Sequence, residues 1–310
     1  MNEEQVISRR RFLQTAGIAG AGALLASCNA PVGVPFTPVS TSTHAVPTKT
    51  ILPTATKNLP KVDMRPVIRN IGLAVRQQTD LAPCAVHAFT FLLEYMSIRH
   101  IFSDLSEAYL QYMTFQVEKP AMKGGENFWA LNIGYQKWGF VPQALVSNQS
   151  QPSGGQPSRW GAVGVKGCRL TQTFIKEWDS STGATPEQLD AAVGCLDSDI
   201  PVAMGLLWPK KYRSYPIDGI PAMNIPHAEN KWDVVYDGHA VALVGYGRGP
   251  DFPGGGYFIF RNSWGTAFEE QGYGYMPFGY ALNYTNDLCV LGAVFEKGEH
   301  EEEKSNSTLE

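Results

Sequence analysis

Residues 84–94 read C-A-V-H-A-F-T-F-L-L-E, dense in Ala, Phe and Leu with neither Gly nor Pro, which is the pattern of a buried helix. A turn-forming run with Thr79, Asp80 and Pro83 leads into it, so Cys84 is predicted at the helix N-terminus. There the unpaired backbone N–H groups and the positive end of the helix dipole favour a thiolate over a thiol. That is a setting for a nucleophile, although a buried structural cysteine has the same local pattern.

Two distant stretches supply partners. Residues 237–247, D-G-H-A-V-A-L-V-G-Y-G, predict a short apolar strand with His239 at its leading end; residues 257–265, Y-F-I-F-R-N-S-W-G, predict a second strand ending at Asn262. Taken singly, a His beside a strand is more often structural and an Asn a turn residue. With Cys84 they make the order Cys, His, Asn. Helices are predicted at 106–115, with Glu107 in the first turn, and at 126–138, where aromatics fall at helical spacing. After Val163 the pattern turns to strands at 168–175, 202–207, 240–246 and 257–262. One helix at 186–196 interrupts them, capped by Thr185, with Pro186 in its first turn and Glu187 matched to the dipole. A helix-rich half thus precedes a strand-rich half, and the cleft between them is the expected site.

The strings around these residues resemble the papain-like cysteine peptidases. Gln78 stands six positions before Cys84 and Glu94 ten after it; H-A-V-A-L-V-G-Y-G and R-N-S-W-G are similar to the family's histidine and asparagine motifs, and G-Y-G-Y at 272–275 follows as it does there. L-S-E-A-Y-L at 105–110 is similar to the family's L-S-E-Q-x-L. Gly124 and Gly125, followed by Ala130, Tyr135 and Gly139, resemble its glycine segment, and V-D-M-R-P after Lys61 resembles the start of many mature domains. The resemblance runs from about Val62 to Phe295 in the family's order. It implies an α+β fold of two lobes, a helical N-terminal lobe and a β-barrel-like C-terminal lobe with the site between them. It also implies Cys84 as nucleophile, His239 as base and acid, Asn262 as the residue that orients the imidazole, and Gln78 as an oxyanion donor. Trp264 would shield the histidine–asparagine bond, and Gly124 and Gly125 would let a substrate backbone approach. The sequence departs from the pattern at Ala85 and His87, where relatives usually carry aromatics, and at Pro83, where a small residue is usual.

The ends read differently from the middle. S-R-R-R-F-L-Q at 8–14 resembles a twin-arginine export signal, and the Gly- and Ala-rich run at 16–26 is too short for a membrane span of about twenty residues. L-A-S-C at 25–28 resembles a lipoprotein box, in which Cys28 would carry the lipid and hold the exported protein at the outer face of the cell membrane. Residues 29–60, rich in Pro, Thr and Ser with almost no charge, cannot bury enough surface to order themselves and read as a tether. The expected organisation is therefore a signal at 1–28, the tether at 29–60, the peptidase-like domain at 61–298 and an acidic tail at 299–310.

Composition narrows the remaining choices. An apolar fraction of 44% against 17% charged residues fits a well-buried globular chain, and a net charge of −4 gives no reason to expect nucleic acid. The His residues are scattered and no C-x-x-C occurs, so neither a structural metal nor a cofactor is expected. Setting Cys28 and Cys84 aside leaves Cys168, Cys195 and Cys289, and Cys168 with Cys195 or Cys289 is a conceivable disulfide. The chain is expected to act as a monomer on a peptide or protein substrate. Two other readings remain open: a papain-like fold used for binding with a degenerate site, and a cysteine-dependent acyl transferase or amidase.

Overall fold

In the computed structural model, residues 60–79, 82–97, 104–117, 128–144, 146, 168–178, 182–225 and 237–295 are described. The expected leader, tether and acidic tail, with Cys28, Gly124, Gly125 and the loop at 147–159, lie outside the described residues. The chain enters through β1 (Val62–Asp63) and a short helix α1 (Arg65–Asn70), with Pro66 in the first turn, where its missing N–H removes no helical bond. Three helices follow: α2 (Cys84–Ser97), α3 (Glu107–Val117) and α4 (Phe128–Trp138). After them the chain turns to strand, as the sequence predicts: β2 (Cys168–Lys176), helix α5 (Pro186–Asp197), β3 (Val202–Trp208), β4 (Ser214–Ile217), β5 (Ile220–Met223), β6 (Asp237–Arg248), β7 (Gly256–Arg261) and β8 (Tyr273–Pro277). Helix α6 (Phe278–Tyr284) and β9 (Thr285–Phe295) close the described chain.

Among the described residues the strands form one nine-stranded sheet in the order β2-β9-β3-β6-β7-β8-β5-β4, with β1 paired to β6. Its centre is covered on both faces: every residue of β7 is buried, as expected of a strand packed from two sides. Helix α2 supplies part of that cover, packing on β6, β3 and β9 and against α3 and α4. The helical lobe and the sheet lobe meet along it, and Phe89 and Leu92 are both fully buried at that junction. Each stabilises the fold by on the order of 2 kcal/mol.

The start of α5 is set locally. The Thr185 side chain accepts the Gln188 backbone N–H at 3.2 Å while the Gln188 side chain accepts the Thr185 N–H at 2.9 Å, closing a reciprocal cap. The β4–β5 hairpin falls in a stretch for which the sequence reading assigned no element. Its turn, Asp218-Gly219, has φ of 49° and 82°, the left-handed pair that a two-residue hairpin of this twist requires.

The conceivable disulfide does not form. Cys195 and Cys289 are free thiols. The β2–β9 register sets Cys168 opposite Phe295 and Cys289 opposite Phe174, so Cys168 and the position facing Cys289 lie six residues apart on one strand, about 20 Å. A disulfide needs Cα atoms within about 7 Å.

Candidate active site

Helix α2 begins at Cys84, and the Pro83 carbonyl accepts the first helical bonds from Val86 N–H at 3.1 Å and His87 N–H at 3.3 Å. Pro83 therefore takes the N-cap position and Cys84 the first helical one, where its N–H has no intrahelical acceptor. The side chain is 6% exposed. Residues three and four further along share its face, and these are His87 and Ala88. Both line a small void together with Ala240, the neighbour of His239, and with Asn262. The face that carries Cys84 is thus directed at the part of β6 that holds His239.

His239 sits on β6 opposite Leu206 of β3 and is 4% exposed. Asn262 follows the last residue of β7, and its backbone N–H donates to Gly272 O at 2.9 Å. Gly272 has φ of 94°, and a Cβ there would come within 2.5 Å of Val75, so the chain can turn so tightly beside Asn262 only with glycine. The two side chains meet: His239 Nε2 lies 2.8 Å from Asn262 Oδ1, and the same oxygen accepts the Ser263 N–H at 2.8 Å. That second bond identifies the atom as the amide oxygen, so Nε2 must carry the hydrogen. Nδ1 is then the basic nitrogen of the neutral ring. It is buried without a hydrogen-bond partner.

Aromatic rings enclose this pair. Trp264 lies 4.8 Å from the His239 ring, and Trp208 meets the same ring edge-on at 4.7 Å. Trp264 is the residue the resemblance offers as a shield, and its ring lies against the imidazole; nothing in the sequence marks Trp208, at the end of β3. Only the pairing of Trp208 with Asp237 across β3 and β6 puts it there.

Gln78 reaches the site through main-chain pairing. Gln77 forms an isolated antiparallel bridge with Trp264, Gln78 N–H donates to Ser263 O at 2.6 Å, and Gly265 N–H donates to Arg76 O at 3.2 Å. Ser263 Oγ donates to Gln78 Oε1 at 2.6 Å, which fixes the carbonyl end of the amide and leaves the N–H₂ end on the other side. Six residues later the same strand of chain becomes Cys84.

Beneath the site lies a buried charged group that the sequence motifs contained without announcing. Arg76 contacts Glu94, and its Nη1 is 2.7 Å from Glu107 Oε1; Glu94 Oε1 also accepts the Leu105 N–H at 2.8 Å. Burial pushes the Glu94 carboxyl up to about 7 despite the pull of Arg76. Burial alone would lower the Arg76 guanidinium, but Glu94 and Glu107 hold it above its usual value. Arg261, beside Asn262, donates to the carbonyls of Leu73 and Ala74 and stands over the Phe91 ring at 4.6 Å. His87 Nδ1 lies 3.2 Å from Glu107 Oε1.

The other free thiols have a different character. Burial raises the Cys195 thiol, and the fully enclosed Cys289 thiol is held well above its usual value, which favours inert S–H. Among the described residues no three His, Cys, Asp or Glu side chains converge as a metal site.

A model described as papain family cysteine protease matches residues 127–289. No curated protein matches the chain. Among solved structures, the cysteine protease xylellain from Xylella fastidiosa aligns at 20% identity and a TM-score of 0.54, covering 76% of this chain and 87% of that one. The proform of the ragweed pollen allergen Amb a 11 cysteine protease aligns at 19% identity and 0.47, over 79% and 68%. Bromelain from Ananas comosus, bound to the E64 inhibitor, aligns at 20% identity and 0.45, over 76% and 98%. With the family's model matching more than half of the sequence and its two-lobe architecture present, the chain belongs to the papain family of cysteine proteases.

Proposed function

We propose that the protein hydrolyses peptide bonds with Cys84 as nucleophile, His239 as base and then acid, Asn262 as orienting residue and Gln78 as oxyanion donor. The observation that carries this reading is the pair of hydrogen bonds that Asn262 Oδ1 accepts, from His239 Nε2 at 2.8 Å and from the Ser263 N–H at 2.8 Å. It leaves Nδ1 as the ring nitrogen free to act as base. The Cys84 S–H proton passes to Nδ1, and the thiolate forms a bond to the substrate carbonyl carbon while the carbonyl electrons move onto oxygen. The Gln78 amide N–H and the Cys84 backbone N–H stabilise that oxyanion. When it collapses, the C–N bond breaks and Nδ1–H protonates the departing amine. Water, losing its proton to His239, then cleaves the thioester and returns the thiol.

The test uses the full chain under reducing conditions with a fluorogenic dipeptide substrate and an epoxide inhibitor of cysteine peptidases. Wild-type protein should cleave the one and be labelled by the other, and Cys84→Ala should do neither. Labelling that survived in Cys84→Ala would move the nucleophile elsewhere. Mass spectrometry of cleaved polypeptides separates internal from terminal cleavage.

For the ends of the chain we propose export by the twin-arginine-like leader, lipidation at Cys28, and residues 29–60 as a tether carrying a peptidase unit at 61–298. The carrying observation is the order of leader, short apolar run and L-A-S-C in the sequence. Cys28→Ala should shift the protein from the membrane to the soluble fraction; membrane retention unchanged by that substitution would exclude lipid anchoring at this residue.

A further inference from the structure

A void of about 10 Å³ lies between α2, β6 and the end of β7, lined by side chains that include His87, Glu107, Arg76, Asn262, Ser263 and Arg261. That is about the volume one water molecule requires. Nearly every polar side chain on its wall is occupied. Arg76 is paired with Glu94 and Glu107, Arg261 donates to the Leu73 and Ala74 carbonyls, and Ser263 Oγ donates to Gln78. Two buried atoms on the wall have no hydrogen-bond partner: His87 Nε2 and Asn262 Nδ2.

Their chemistry is complementary. Asn262 Oδ1 is the oxygen held by His239 and Ser263, so Nδ2 is an N–H donor. His87 Nδ1 faces the Glu107 carboxylate at 3.2 Å and must carry its hydrogen there, so in the tautomer that this contact selects Nε2 is an acceptor. A donor and an acceptor, both buried and both unpaired, belong to residues that line one water-sized space. We infer that a single internal water bridges Asn262 Nδ2 to His87 Nε2, accepting from the first and donating to the second, and that His87 is thereby a positioning residue for the catalytic asparagine.

The bridge acts on orientation. One end of the Asn262 amide is held by His239 and the Ser263 N–H; the water holds the other end, so the amide plane cannot rotate about its terminal bond and exchange oxygen for nitrogen opposite the imidazole. His87 is in turn held by Glu107, which Arg76 holds. The helix that presents Cys84 therefore also steadies the residue that orients its base. The inference rests on the catalytic reading above for its consequence, but not for the water itself.

The experiment has two arms. A high-resolution crystal structure of the wild-type protein should contain a solvent oxygen within hydrogen-bonding distance of both His87 Nε2 and Asn262 Nδ2. A void without density, or an Asn262 Nδ2 bonded to another group, overturns the proposal, and neither result depends on activity or on a variant folding. In the second arm, His87→Leu should lower kcat about five- to tenfold with KM within about twofold. His87→Gln, whose carbonyl can accept from the same water, should recover most of that loss. Equal losses in both variants, or an unchanged kcat in His87→Leu, count against a positioning role. Wild-type cleavage that is lost in Cys84→Ala establishes the catalytic reading separately, so a failure of either idea is recognisable.

Discussion

Ser263 Oγ donates to Gln78 Oε1 at 2.6 Å across a sequence separation of 185 residues, so the amide proposed to receive the oxyanion is aimed by the residue that follows the proposed orienting asparagine. Loss of an oxyanion donor costs about 2.7–4 kcal/mol of transition-state stabilisation. Gln78→Ala should therefore lower kcat about 10²- to 10³-fold with little change in KM. Ser263→Ala keeps the donor but frees its rotation, and should cost about tenfold, the range of one hydrogen bond. Steady-state kinetics on a dipeptide substrate checks both; a larger loss for Ser263→Ala than for Gln78→Ala would contradict the ordering.

The His239–Asn262 bond selects a tautomer. In Asn262→Ala the Nε2 hydrogen loses its buried acceptor, and the enclosing Trp208 and Trp264 rings offer no replacement. A hydrogen bond that stabilises an imidazolium contributes about 1.5–3 kcal/mol, so kcat should fall roughly ten- to 150-fold. The thermal midpoint should fall by a few degrees as well, because the His239 Nε2–H and the Ser263 N–H both lose a buried acceptor; differential scanning fluorimetry alongside the kinetics confirms that the variant is folded at the assay temperature.

Arg76 is the cation between two buried carboxylates, Glu94 and Glu107. Its guanidinium also donates to the Leu105 carbonyl at 2.8 Å, so it joins the loop before α2 to the entry of α3. Arg76→Met leaves both carboxylates without their counter-charge, a change that typically costs about 3–5 kcal/mol. Urea unfolding of the variant, prepared with Cys84→Ala to prevent self-cleavage, should show a loss of that size or no folded protein at all.

Asp287, on β9, is buried, and burial pushes its carboxyl up to about 7 against the opposing pull of the Gly205 N–H and of Lys176. The unfolded chain has its aspartates near 3.9, so the folded state binds this proton more tightly. The associated stability is fully present below about pH 4 and is lost as pH rises through about 7. Over that window the difference is on the order of 4 kcal/mol. Glu94, also raised to about 7, adds a dependence of the same sign in the parent protein. Asp287→Asn should flatten the fall relative to the parent; equal pH slopes for the two in urea unfolding would mean that Asp287 titrates near its ordinary value.

Sequence patterns alone carried the element types, because these depend on short-range rules; the residues named for the site came instead from the resemblance of several short strings to one family. The α5 cap is written in T-P-E-Q, where the residues that bond each other lie three apart. The buried helix after Cys84 is written in a run of Ala, Phe and Leu, and the strand around Phe258 and Phe260 in consecutive apolar residues. The β4–β5 turn was equally local, since Asp218-Gly219 suits its left-handed backbone, but the flanking strands are too short and too mixed in pattern to stand out. Tertiary structure decided what lies next to what. The β3–β6 register brought Trp208 to His239, the bridge of Gln77 with Trp264 brought Ser263 to Gln78, and the packing of α2 on β6 set His87 between Glu107 and Asn262. Register also separated Cys168 from Cys289, a distance that no spacing of cysteines along the chain could reveal. Local chemistry fixes what each segment can become, whereas contacts between residues far apart in sequence exist only once the lobes have closed on one another.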